Sequence, residues 1–409
     1  MDKLLDFISE HLADDTTRLI LDKSKWPEID METVVNCIES RRKLKGKVQE
    51  WYDEPRLVFP VRLSAEQCSS SATAQYKATL AERIADKEGW CIADLTGGLG
   101  VDCWFFSKKA ATVLYNEMQV PLSDAAGYNF KILGATNIIV RNNIARKETI
   151  NDILSEIYPD IVYMDPARRG EGGRKVFLIE ECTPDVLTLK DEIFRVSRNI
   201  LIKLSPMADI SMVCSRLGST CREVHIVSSE GECKELLIWL DRDWKGEYSV
   251  SAVELPAGFP EKSASVLTFT PEEEKTSAVR LAEEPGEYLF EPGKSLTKAG
   301  AFNTTGIRMD ICKFGISTHY YTTSSIDKAE LLKGYGKVFK ILSSSPLDKR
   351  NIKSTGKCYP KAEVTARNIP ITSEALRKKI GCASGGDVHI FGLRSDVKGN
   401  LLIVGKRII

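Results

Sequence analysis

The sequence predicts an α/β protein: an open, doubly wound parallel sheet of seven strands, a helical region before it and small α+β domains after it. Three observations carry this. The stretch WCIADLTGGLGVD, residues 90–102, runs from an apolar segment through Asp94 into a turn with Gly97, Gly98 and Gly100. Val101, Trp104, Phe105 and Phe106 then follow at helical spacing. Strand, tight turn and helix in that order hold a nucleotide-like ligand beyond the carboxyl ends of an open sheet. Second, strand-like runs at 90–94, 111–116, 137–141, 160–164 and 199–204 are separated by segments long enough for crossover helices. Third, 222–229 and 234–240 flank Glu230-Gly231-Glu232 and read as an antiparallel pair.

Taken in order, residues 1–85 are a helical region. Leu4, Leu5, Ile8 and Leu12 recur at helical spacing, as do Met31, Val34, Val35 and Ile38. The basic run Arg41, Arg42, Lys43, Lys45 and Lys47 reads as a solvated face, with a nucleic-acid contact as the alternative. One helix from 70 to 86 leads into the first strand; its Tyr76 is either a core aromatic or a cover for the ligand. Residues 86–270 are the sheet domain, with the pattern weakest between Arg141 and Pro159. After Leu240 short strands and turns punctuated by Pro256, Gly258 and Pro260 replace the alternation. Residues 271–327 form a small mixed α/β domain, for which a ferredoxin-like arrangement is one reading. The last domain, 328–409, has strand patterns at 337–343 and 401–405. A helix at 373–380 lies between them, capped by Thr372 or Ser373 with Glu374 in its first turn.

A chain of 409 residues exceeds one ordinary core, and 43% hydrophobic with 28% charged residues is globular. Net charge is zero but uneven: residues 328–409 hold 17 Lys/Arg against 6 Asp/Glu, about +11, leaving about −11 for 1–327. Such a tail suits a phosphate-rich partner, or is a solubilising face. Eleven cysteines without a CxxC read as reduced thiols of a cytoplasmic protein. The four histidines have no ligand spacing, so no metal site is expected. No run of 18 apolar residues argues for a membrane span. The oligomeric state is open, with a monomer favoured.

The glycine turn alone is weak, but three acids stand at compatible positions. Glu117 closes the second strand, where a carboxylate accepts both hydroxyls of a ribose. Asp152 precedes the fourth strand and either meets an adenine amine or caps a local helix. Asp165 ends the fourth strand and begins DPARRG, residues 165–170. The turn is D-x-x-G-G-x-G, not GxGxxG, and Asp94 would repel a pyrophosphate. A ligand with an ammonium and a sulfonium suits that carboxylate better.

Residues 90–102 with Glu117 and Asp165-Pro166 resemble the class I S-adenosylmethionine-dependent methyltransferases. The ordered set DLTGGLGVD, DPARRG, KLSP (203–206), KVFKILS, GGDVHIFG and LLIVGKR is similar to bacterial methyltransferase-like proteins with a C-terminal THUMP-like domain. The resemblance implies a Rossmann-like sheet and S-adenosyl-L-methionine as cofactor. Asp94, Thr96, Gly97, Gly98 and Gly100 would surround it, and Glu117 would hold its ribose. Asp165 and Arg168 would lie at the catalytic motif. THUMP-bearing proteins act on structured RNA, mostly tRNA, which implies a tRNA or rRNA substrate. Amine-methylating relatives often carry N/D-P-P-Y; here Ala167 and Arg168 replace the second proline and the aromatic. Asp165 still orients an acceptor or takes its proton, or only caps a turn. Lys203 balances the acids, meets a phosphate or is an internal ion-pair partner. Arg168 and Arg169 grip substrate, or pair with Glu171 or Glu180. C5 methylation of a pyrimidine needs a cysteine at the pocket, and the fifth strand ends KLSP without one. A nitrogen acceptor is therefore favoured, with a ribose oxygen as alternative. Lys357, Lys361, Arg367, Lys378 and Lys379 are expected on the RNA-facing side. The other classes are a methyltransferase of protein or small molecules and a non-catalytic RNA-binding protein.

Overall fold

A computed structural model describes residues 2–168 and 179–408. They form two compact units, one of 1–224 with 235–247 and one of 225–234 with 248–409.

The first unit opens with helices α1 (Asp2–Glu10), α2 (Thr16–Leu21), α3 (Met31–Leu44), α4 (Gln49–Asp53), α5 (Arg62–Gln67) and α6 (Ser71–Ala85). Met31, Val34 and Ile38 of α3 pack with Leu5, Ile8 and Leu19 in one cluster, as the helical spacing predicted. The basic run is not a solvated face throughout. Arg41 is buried and donates to the carbonyls of Tyr52, Glu54, Pro55 and Leu57. Those oxygens lie in the last turn of α4 and the irregular segment after it, with no ladder to satisfy them, so a guanidinium with five donors replaces one. Lys47 likewise reaches the carbonyls of Ala65 and Glu66. α6 starts at a capping box between Ser70 and Thr73 and buries Ala74, Ala78, Ala81 and Ile84.

The sheet follows: β1 (Cys91–Asp94), α7 (Val101–Ser107), β2 (Thr112–Asn116), α8 (Val120–Ile132), β3 (Ile138–Arg141), α9 (Ile150–Leu154) and β4 (Ile161–Met164). After a two-residue ladder of β5 (Ala167–Arg168) with β6 (Cys182–Thr183) come α10 (Val186–Val196), β7 (Asn199–Leu204) and α11 (Ile210–Leu217). A hairpin of β8 (Cys221–Ser229) and β9 (Glu232–Asp241) follows. Glu230 and Gly231 turn it with φ of 55° and 77°, the left-handed geometry of a two-residue hairpin. The order is β3-β2-β1-β4-β7-β9-β8, with β8 entering the unit through 221–224. Strands β3, β2, β1, β4 and β7 are mutually parallel, and β9 is antiparallel to β7. All seven predicted strands are present. The chain departs to opposite sides of β1, toward β2 and toward β4, which opens a crevice at their carboxyl ends.

In the second unit β10 (Ser249–Leu255) pairs antiparallel with β11 (Ser265–Phe269). Then come α12 (Pro271–Thr276), β12 (Tyr288–Pro292), α13 (Lys294–Ala299), α14 (Asn303–Arg308), β13 (Cys312–Lys313), β14 (Tyr321–Thr323) and α15 (Ile326–Leu332). The end comprises β15 (Gly336–Pro346), α16 (Lys349–Cys358), β16 (Glu363–Arg367), α17 (Ser373–Ile380), β17 (Val388–Ser395) and β18 (Gly399–Arg407). These strands make a sheet in the order β13-β14-β12-β15-β18-β17-β16. One face buries Leu289, Phe314, Tyr320, Phe339 and Phe391; the other buries Leu376, Ile380, Ile390, Leu402 and Val404. Thr372, not Ser373, caps α17.

Candidate active site

At the end of β1, Asp94 is 1% exposed and accepts hydrogen bonds from Thr96 N (2.9 Å), Thr96 Oγ1 (3.2 Å) and Cys103 Sγ (3.2 Å). Burial raises its pKa to about 7, and the charge of Asp102 adds to burial against the Thr96 and Cys103 donors. The glycine turn closes over this carboxylate. A Cβ on Gly97 would stand 2.2 Å from the Tyr115 ring, whose hydroxyl donates to Gly98 O at 2.7 Å. Gly98 and Gly100 have φ of 53° and 94°, the latter against the Phe130 ring.

Glu117 sits just past β2 and ties both neighbours of the cleft to itself. Its Oε2 accepts from Gly98 N and its Oε1 from Gln119 N, each at 2.9 Å. Each carboxylate oxygen keeps a lone pair for a further donor. Asp165 follows β4; its backbone N–H donates to Thr96 Oγ1 at 2.7 Å, so Thr96 links the first and third acids. Lys203 near the end of β7 donates to Asp165 Oδ2 at 2.5 Å. Burial works against the Lys203 ammonium, but Asp165, Glu235 and Asp102 outweigh it and hold its pKa above the usual lysine value.

Asp94, Thr96, Gly97, Gly98, Gly100, Glu117 and Asp165 line one cleft of about 580 Å³, within the range of small-molecule sites. Asp152 does not join them. It is exposed in the first turn of α9, outside the cleft lining, because the short α9 turns that residue to solvent. Met118, Leu122 and Ile144 instead provide an apolar wall next to Glu117. Tyr76 is not among the lining residues either. Arg168 pairs through its backbone with Cys182, and Arg169 lies outside the described residues.

Two features of the site escaped the sequence. α5 and the loop after it bring Ser64, Gln67, Cys68 and Ser69 to the cleft, so the helical region forms one wall. A cysteine does therefore reach the cleft, although its thiol donates to Ala65 O and burial raises its pKa. Behind the cleft, the fully buried Lys77 donates to both oxygens of Glu235 (2.7 and 2.9 Å) and to Ser69 Oγ (2.9 Å). Its ammonium is 3.4 Å from Asp102, which also accepts from Ser69 Oγ and Tyr163 OH. Burial would raise the Asp102 pKa, but Lys77 and Lys203 hold it below the usual carboxylate value.

In the second unit, Lys357, Lys361, Arg367, Lys378 and Lys379 are all exposed. Lys378 pairs with Glu374 at 2.9 Å, and Arg367 meets the Tyr320 hydroxyl. α16 adds Lys349, Arg350 and Lys353 to Lys357 on its exposed side. None of these four has a carboxylate within 4.0 Å among the described residues. Ile352 on the other side packs into the core.

Residues 336–407 match the model of a THUMP domain-like family, and residues 288–329 match that of a ferredoxin-like domain. No curated protein matches the chain. Its fold is similar over its whole length to the "putative methyltransferase from Porphyromonas gingivalis W83", with 26% identity, 98% of that chain covered and a TM-score of 0.85. An rRNA methylase from Streptococcus thermophilus aligns with 40% of this chain and 94% of its own (12% identity, TM-score 0.29). The N-terminal domain of EvdMO1 with SAH bound aligns with 50% and 95% (14% identity, TM-score 0.32).

Proposed function

From a class I methyltransferase sheet that carries a THUMP-like domain at its end, we propose that this protein transfers the methyl group of S-adenosylmethionine to structured RNA. The observation that carries it is the meeting of Asp94, Glu117 and Asp165 in one cleft at the carboxyl ends of β1, β2 and β4. When bound, the cofactor supplies an electrophilic methyl group on a sulfonium. Glu117, already fixed by two backbone N–H groups, would accept from the ribose hydroxyls. Met118, Leu122 and Ile144 would cover the adenine, and Asp94 would face the cationic methionine part. Asp165, fixed by Thr96 and Lys203, would stand beside the acceptor. Held in line at roughly 3 Å, acceptor and methyl carbon react without further covalent help.

RNA as substrate is supported by the THUMP-like match and by the unpaired cations on α16. Titration calorimetry tests the cofactor. S-adenosylmethionine or its demethylated product should bind at micromolar affinity, and Glu117→Ala should weaken it by roughly 10–100-fold, the worth of charge-assisted hydrogen bonds. Absence of heat with either compound rules the proposal out. Labelled methyl transfer into total RNA, compared with total protein and metabolites, tests the substrate.

A further inference from the structure

We propose that the acceptor atom is a hydroxyl oxygen, a ribose hydroxyl of the RNA, and not a nitrogen of a base; this rests on the RNA methyltransferase reading. The sign of the charge at the acceptor decides between the two. A neutral nitrogen that receives a methyl cation becomes positive in the transition state. A hydroxyl that loses its proton carries negative charge on oxygen instead. The side chain at the cleft end of β4 is Asp165, and its Oδ2 is bound by the Lys203 ammonium at 2.5 Å. Paired, the two charges cancel, but once Asp165 has taken a hydroxyl proton the Lys203 ammonium is left as a cation beside the oxygen, which opposes the first transition state and favours the second.

Lys203 is not a stray surface charge. Its side chain is 13% exposed and lies in the field of Glu235 and Asp102 as well as Asp165. Glu235 and Asp102 are in turn held by Lys77. Two lysines and three carboxylates thus form one polar cluster beneath the acceptor end of the cleft. Among the described residues the cleft offers less for recognising a base. Ala167 stands where amine-methylating relatives often have a second proline. Among the described residues, no aromatic ring lines the cleft for a base to stack on. Ser64 and Gln67 line it instead, polar side chains suited to a sugar.

The step balances as follows. A lone pair of the acceptor oxygen forms the bond to the methyl carbon while the carbon–sulfur bond breaks, its electron pair staying on sulfur. The hydroxyl proton passes to the Asp165 carboxylate and from there to water, while Lys203, bound to Asp165 Oδ2 and not itself among the lining residues, acts on the oxygen through its field. Lys203 acts through this field and through Asp165, as a positioning residue.

The experiment incubates the full chain with methyl-deuterated S-adenosylmethionine and total RNA from a strain lacking the gene, then analyses digested nucleosides by mass spectrometry. The label is expected on the sugar fragment, with an unlabelled base fragment. Label on the base overturns the oxygen acceptor but leaves the RNA methyltransferase standing. No label in any nucleoside overturns the RNA reading itself. Lys203→Met, which keeps length and removes charge, should lower turnover about 100-fold, with cofactor affinity within about threefold by calorimetry. Lys203→Arg should restore part of that rate and shift the pH–rate profile. Unchanged or faster turnover in Lys203→Met contradicts the proposal, since loss of a cation relieves a nitrogen acceptor. Should the variant fail to fold, the label position in the wild type still decides.

Discussion

Asp94 shows how far one residue can be read before the fold is known. Its place at a strand end before glycines marked it as a ligand-facing acid, and so did the position of Glu117. Both features are local: a strand end, a turn and the next strand end converge in any open parallel sheet. Asp152 was beyond reach because its direction depends on how a five-residue helix is rotated. Lys203 has three readings in the sequence for the same reason, and its contact with Asp165 at 2.5 Å makes it the partner of that acid. Burial of Asp94 has a measurable consequence. Burial pushes its carboxyl from the ordinary 3.8 up to about 7 in the fold, so the native state holds the extra proton between those values. Stability from this group therefore falls as pH rises from about 4 to about 7 and is level above, by at most about 4 kcal/mol. Asp94→Asn removes that dependence while keeping an acceptor for Thr96. Thermal melts should find the variant more stable than the wild type at pH 8 and close to it at pH 5. An equal difference at both values shows that Asp94 titrates normally.

Among elements, the glycine turn is the most constrained, and its constraint is written in adjacent residues. Gly97→Ala would drive a methyl into the Tyr115 ring, at 2.2 Å before relaxation. The expected loss is about 1–3 kcal/mol in denaturant unfolding, with weaker cofactor binding from a displaced Gly98. A variant of wild-type stability would mean that Tyr115 moves aside freely. The contact of α6 with β9 is the opposite case. Lys77 and Glu235 are 158 positions apart. A lysine in a helix and a glutamate in a strand give no local sign that they meet. Nor did α5 announce that it walls the cleft. Lys77→Ala leaves the buried Glu235 and Asp102 without the cation that contacts both, with Lys203 alone acting on them, which should cost about 3–5 kcal/mol. Lys77→Met with Glu235→Leu should recover much of that loss in equilibrium unfolding, because the desolvated charges go together. If the double variant is as unstable as the single one, the pair is not what holds these elements.

Across the whole chain the charge is divided: the segment before Lys328 is acidic by about 11 charges and the rest basic by the same amount. The count is legible in composition, but its location is not: the pattern points to Lys357, Lys361, Arg367, Lys378 and Lys379 and not to Lys349, Arg350 and Lys353, which α16 adds. Helical geometry explains the difference. Lys349, Lys353 and Lys357 are spaced by four and share a face with Arg350, while Ile352 and Gly356 pack inward, Gly356 against the backbone of Ile380. A face with four cations, no partner carboxylate among the described residues and no buried side chain contributes little to folding. Replacing all four by glutamine should therefore leave the melting temperature within a few degrees. Nucleic-acid binding responds differently, because each phosphate neutralised releases a counterion with a slope of about 0.7–0.9 in log affinity against log salt. The quadruple variant should lower the slope for RNA by roughly 3. It should weaken binding most at low salt and leave S-adenosylmethionine binding by calorimetry unchanged. A slope equal to that of the wild type would make α16 a solubilising face, and the phosphate contacts would have to be sought on other basic residues.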